Sequence, residues 1–229
     1  MVDGSGGPGR REGERQSLSR AGPSRLPRAF DQGFRAILGR DPSHREREQF
    51  SKYLDLLAKW GSVHRLVGST DPEWVVEHLF LDSLLFLHAL PRETGSILDF
   101  GAGAGFPGIP IAIVRPETQI TLLEARRRRA SFLAAAVREL KLTSARVVAA
   151  RGEDMVSDLG ATFDAVVMRC AGRLGETLPL AAQFAKEGGV VVGAGPPKPS
   201  PLRFGEWLLV PGVREGATRR FAVLSKPGR

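Results

Sequence analysis

The sequence predicts an α/β protein: a mainly parallel seven-stranded sheet with helices on both faces, preceded by an N-terminal helical cap. Three observations predict it. Two amphipathic helical segments come first. From Ser96 onward, short apolar runs alternate with helical stretches, which is the pattern of a parallel sheet. The tail then carries two more apolar runs around a Pro-Gly turn. With 229 residues, 42% of them hydrophobic and 25% charged, the chain has the size of one ordinary domain plus some extra length.

The elements follow in order. Residues 1 to 28 hold six Gly, three Pro and six Arg with almost no large apolar side chains, too little apolar surface to offset the entropy of ordering. A disordered basic arm is expected, taken as residues 1–40, followed by the cap at 41–92 and a core at 93–229. In the cap, Phe50, Tyr53, Leu54, Leu56, Leu57 and Trp60 recur at helical steps, with Asp41 or Ser43 as caps and Gly61 as the stop. Asp71-Pro72 opens a second helix, a cap followed by a proline at the first helical position. It carries Val75, Val76, Leu79, Leu84, Leu85 and Leu87 up to Pro91. Strands are expected at 97–100, 120–123, 145–149, 163–168 and 190–192, with a helix over 125–140. Gly193 to Pro201 contains four prolines and reads as a loop. Trp207 to Val210 and Phe221 to Leu224 read as an antiparallel hairpin at the sheet edge.

No apolar run approaches the roughly 18 residues that span a bilayer, and the first thirty residues lack a signal-peptide core. A single cysteine, Cys170, excludes a disulfide framework and suits a reducing compartment, so a cytoplasmic protein is expected. The formal charge of +8 favours polyanions without choosing among RNA, DNA and acidic membranes.

The richest segment runs Asp99-Phe100-Gly101-Ala102-Gly103-Ala104-Gly105-Phe106-Pro107-Gly108, a strand that breaks into glycines and restarts as a helix. Glycine lets backbone approach a ligand closely, and a helix start offers free N–H groups. A dinucleotide fingerprint counted from Gly101 and Gly103 would need glycine at 106, where Phe106 stands, so pyrophosphate fits poorly. Asp99 would repel phosphate and welcome a cation, and S-adenosylmethionine offers both a sulfonium and an ammonium. Glu124 ends the second strand, where a carboxylate in such folds accepts ribose hydroxyls. The competing reading makes the glycines a tight turn and Glu124 a favourable helix opener.

These residues resemble the RsmG-type methyltransferases, also called the glucose-inhibited division protein B family, over about residues 45 to 229. The likeness is carried by Asp99 to Pro110 with Ile113-Val114-Arg115-Pro116. It is supported by Tyr53, Leu56, Leu57, Lys59 and Trp60, by His78 with Asp82-Ser83, by Arg128 with Phe132-Leu133, by Arg151 to Asp154, and by Phe163-Asp164 with Arg169. The resemblance implies a class I, Rossmann-like methyltransferase fold. It implies methyl transfer from S-adenosyl-L-methionine to guanine N7 in small-subunit (16S) ribosomal RNA or the ribosomal particle. It also implies cofactor contacts from Gly101, Phe106, Gly152, Glu153 and Arg169, to which the glycine loop adds Gly103 and Glu124. Read without the resemblance, Glu153 is equally an acid at a helix start and Arg169 a surface ion pair.

The chain departs from the family pattern in three places. Trp60-Gly61 and Arg65-Leu66-Val67 replace polar side chains, His78 stands four rather than three residues before Asp82, and Gly193-Ala194-Gly195 replaces a Lys-Gly.

Arg126, Arg127, Arg128 and Arg129 open the helix after Glu124, at the positive end of its dipole. RNA phosphates would compensate them, and a solvated charged face is the alternative. His44, His64, His78 and His88 show no metal-binding spacing, so no metal is expected. His78 and Asp82, four apart, can meet on one helical face. Guanine N7 already exposes a lone pair, so no residue is expected to act as general base. The remaining readings are the same chemistry on another RNA, a protein or a small molecule, a non-catalytic ribosome- or RNA-binding protein, and a nicotinamide oxidoreductase. A monomer is favoured.

Overall fold

The computed structural model of the protein describes residues 26–61, 66–169, 174–196, 198 and 201–228. The arm over residues 1–25, His64, Arg65 and Cys170 lie outside the described residues.

Helix α1 (Arg28–Leu38) replaces the last part of the expected arm. Composition pointed to disorder through residue 40, but Phe30, Phe34 and Ile37 fall on one helical face and bury themselves. Phe30 and Phe34 pack against Phe50, which meets Phe80, so four rings lock α1 to the cap. Full burial of each ring stabilises by roughly 1.5–3 kcal/mol.

Helix α2 (His44–Gly61) is opened by Ser43 rather than Asp41. The Ser43 hydroxyl accepts from the Glu46 N–H at 3.3 Å and Glu46 accepts from the Ser43 N–H at 2.7 Å, a reciprocal capping box. The second cap helix begins as expected, with the Asp71 carboxylate accepting from the Trp74 N–H. It is not uniform. Helix α3 (Pro72–Val75) widens into a π turn (Val76–Leu81), returns as α4 (Asp82–Leu84), and tightens to a 3-10 turn (Leu85–His88).

The sheet has seven strands in the order β3-β2-β1-β4-β5-β7-β6. These are β1 (Ser96–Phe100), β2 (Gln119–Leu123), β3 (Ala145–Val148), β4 (Phe163–Met168), β5 (Ala185–Ala194), β6 (Glu206–Pro211) and β7 (Thr218–Ser225). The first five are parallel, and β7 runs antiparallel to β5 and β6. Strand β5 extends to Ala194, so the proline loop starts at Gly195 and not at Gly193. Alternation along β1 sends Ile97 and Asp99 toward the cap, α5 (Gly108–Val114) and α6 (Arg127–Glu139), while Leu98 and Phe100 face α7 (Val156–Leu159) and α8 (Leu174–Ala182). Helices therefore cover both faces. The glycine loop, Glu124, Gly152, Arg169 and the β6–β7 turn all fall at the carboxyl edge.

Among the described residues no helix is long and apolar enough to cross a membrane.

Candidate functional site

The glycine loop is built from below. Gly101 and Ala102 both donate their N–H to the Leu123 carbonyl, tying the end of β1 to the end of β2. Gly101, Gly103 and Gly105 all sit at positive φ, and at Gly105 (φ +95°) a Cβ would collide with Ile109 and lie 2.8 Å from the Tyr53 hydroxyl. Tyr53 is the chain's one tyrosine. It is fully buried and donates its hydroxyl to the Ala104 carbonyl, so the cap pins the loop. Phe106 is buried and stacks on Tyr53 with ring centroids 5.4 Å apart. It is part of the loop's floor.

Two carboxylates flank the loop. Glu124 is 5% exposed; one oxygen accepts from the Gly103 N–H at 2.9 Å and the other from the Arg126 N–H at 2.7 Å. It thus braces the loop and caps the approach to α6. Asp99 is fully buried, with Oδ2 accepting from the Gly108 N–H at 2.8 Å and Oδ1 buried with no hydrogen-bond partner. Burial pushes its pKa up to about 7, helped by the negative charge of Glu124 and opposed by the Gly108 N–H and Arg169.

The structure brings other expected residues to the same edge in different roles. Gly152 passes so close to the Phe100 ring that a Cβ would sit 2.5 Å from it, a packing reason for glycine. Glu153 is exposed and opens a 3-10 turn (Glu153–Met155). Arg169 reaches the cap, where Nη2 donates to the His78 carbonyl and Nη1 lies 3.5 Å from Asp82 without a hydrogen bond of its own. Asp82 turns to Arg169 and to Arg219, whose Nε is 2.8 Å away. The likeness to an Asp-containing motif did not place Asp164: it sits at the amino edge, accepting from Gly95, Ser96 and Lys186.

The four arginines separate. Arg126, Arg127 and Arg128 are exposed, while Arg129 is half-buried and lies 3.8 Å from where a Cβ on Gly103 would stand. No described carboxylate pairs with any of the four side chains. If they neutralise phosphates, replacing all four by Gln flattens the salt dependence of RNA affinity by about 0.7 log units per log salt for each phosphate no longer neutralised. Filter binding across a salt series reads this; an unchanged slope rejects the role.

Sequence reasoning gave no role to Tyr53 in holding the loop, nor to Arg219. A single tyrosine among the apolar positions of α2 was the available signal for the first. The second needed the hairpin's return to the cap, which no local pattern encodes. A hollow of about 920 Å³ lies between α2 and the end of α6 and contains none of the expected site residues. Among the described residues no group of three or more His, Cys, Asp and Glu is placed to hold a metal.

Residues 46–194 match the family described as GidB: rRNA small subunit methyltransferase G. The ribosomal RNA small subunit methyltransferase G of Lachnoclostridium phytofermentans is 36% identical over 166 residues, 71% of this chain and 68% of that protein. The protein of the same name from Methylobacillus flagellatus is 40% identical over 153 residues, covering 67% and 73%. Among solved structures, the O-methyltransferase TomG of Streptomyces achromogenes, in complex with SAM, superposes with a TM-score of 0.55 at 19% identity, covering 87% of this chain and 96% of that one. That likeness speaks to the fold.

Proposed function

The chain belongs to the rRNA small subunit methyltransferase G (GidB) family, and from that premise we propose that it transfers a methyl group from S-adenosylmethionine to N7 of a guanine in 16S ribosomal RNA. The observation that carries the cofactor is the unpartnered Asp99 Oδ1, buried beneath a loop whose Gly103 N–H is held by Glu124. An ammonium or sulfonium is the kind of group that would complete Asp99. The Glu124 oxygens, each bonded once, keep a lone pair for a ribose hydroxyl. Gly101 and Gly103 would lie against the ligand, Phe106 would support them from below, Gly152 and Glu153 would meet its base, and Arg169 would present its Nη1. S-adenosylmethionine, when bound, supplies an electrophilic methyl.

The chain's own residues then have to align and dry the site. N7 of guanine carries an in-plane lone pair and loses no proton before attack, so we assign no general base. Reacting atoms held at about 3–3.5 Å supply the acceleration through positioning. The exposed arginines hold the RNA by its phosphates, and the protein works in the cytoplasm as a monomer on ribosomal RNA or the ribosomal particle.

Tritium transfer from labelled cofactor into isolated small subunits, free 16S RNA and protein tests this. The expected product is N7-methylguanine in the ribosomal RNA. Label in protein, or none at all, rejects the reading. At saturating cofactor and RNA the single-turnover rate should be flat between about pH 6.5 and 8.5. A tenfold rise per pH unit would require a titrating base and another acceptor atom.

A further inference from the structure

We infer that the cavity between the π turn and the β6–β7 turn receives the guanine base that is to be methylated. This rests on the proposed function and adds where, and by which residues, the base is read.

Register places the cavity. Strand β7 pairs antiparallel with β5, so Thr218 and the turn before it stand at the carboxyl edge, beyond the end of β4. The cavity has a volume of about 270 Å³, and Asp82 and His78 in its wall are the residues that Arg169 touches. Arg169 directly follows β4, the neighbour of the strand that carries the glycine loop. One step across Arg169 therefore separates the cavity from the proposed cofactor site.

Its chemistry suits a nucleobase better than a phosphate. Among the lining residues the carboxylates of Glu77 and Asp82 pair with the guanidiniums of Arg214 and Arg219, so the wall itself offers both donors and acceptors. Leu85 and Val213 supply apolar surface, and the His78 ring, backed by Trp74 at 5.2 Å, offers a face for stacking. Arg214 holds both Glu77 oxygens from one side, at 2.5 and 3.0 Å, leaving an outer lone pair on each. These outer lone pairs diverge, so one Glu77 oxygen is free to accept from guanine's N2 amino group, which adenine lacks. A guanine read on that edge keeps N7 free on the far side of the ring.

The test uses the full chain with ribosomal RNA in which the methylated guanosine is either intact or replaced by inosine, which lacks the N2 amino group and keeps N7. Wild-type protein should lose about tenfold or more in kcat/KM on inosine. Glu77→Gln should be slower on guanosine and discriminate little between the two, with cofactor affinity unchanged. Ala217→Trp, at the exposed turn, should block the cavity and cut kcat/KM more than about tenfold, again with normal cofactor binding. Equal discrimination by wild type and Glu77→Gln overturns the inference while the proposed function stands, as does an Ala217→Trp rate within about threefold of wild type. Loss of cofactor affinity in either variant also overturns it, because the cavity would then belong to the cofactor. A wild-type protein that methylates no ribosomal RNA brings down the proposed function itself.

Discussion

Replacing Glu124 by alanine is expected to weaken S-adenosylmethionine binding by roughly ten- to hundredfold, the worth of a charged acceptor at about 1.5–3 kcal/mol. It should also lower the unfolding free energy. Glu124 is the acceptor for the N–H groups of both Gly103 and Arg126, and it is itself nearly buried. The Arg126 N–H can turn to water, because that residue is exposed. The Gly103 N–H belongs to a loop fixed on its other side by Tyr53 and Leu123, so leaving it without an acceptor costs about 1–3 kcal/mol. Glu124→Gln keeps an acceptor for one N–H and should fall between wild type and alanine in both measurements. Calorimetry of cofactor binding beside urea denaturation checks this. A folded alanine variant with wild-type affinity would remove Glu124 from the site.

The elements that could be read from the sequence are those whose signal is local. The Asp71-Pro72 start, the first four parallel strands and the hairpin each rest on a few neighbouring residues and form close to their expected places, whereas β5, expected at 190–192, runs Ala185–Ala194. Glu124 and the glycines were legible for the same reason, since one short strand-loop-helix carries them. Helix α1 was not. Its Phe30 and Phe34 have no partner until Phe50 and Phe80 arrive from other elements, so a composition window sees only the glycines and arginines before them. The roles of Asp82 and Arg169 were hidden by the same kind of distance. Asp82 takes its partners from the end of β4 and from the hairpin, Arg169 and Arg219, which no pattern along residues 76–82 can show.

Asp99→Asn is expected to reverse the usual cost of altering a buried residue. In the unfolded chain this carboxyl has its ordinary pKa near 3.8, whereas in the fold burial raises it to about 7. Between those values the native state holds a proton that the unfolded chain has released, so stability falls as pH rises through the window and levels off above about 7. At 1.36 kcal/mol per unit, the contribution lost by pH 8 is on the order of 4 kcal/mol. Asparagine keeps a carbonyl for the Gly108 N–H and cannot ionise. The variant should therefore match wild type below about pH 4 and exceed it by a few kcal/mol at pH 8. Glu46 and Asp164, whose pKa values are lowered by Arg40 and Lys186 against the opposing effect of burial, act in the opposite sense, but they are common to both proteins and cancel in the difference. Cofactor binding should run the other way. A cationic ligand beside Asp99 favours the ionised form, so wild-type affinity should rise by up to about tenfold per pH unit below 7 and then level off, while the variant binds weakly and evenly. Parallel stability curves for the two proteins would show that Asp99 does not titrate in this window. A wild-type affinity indifferent to pH, with the variant binding equally well, would place the cation elsewhere.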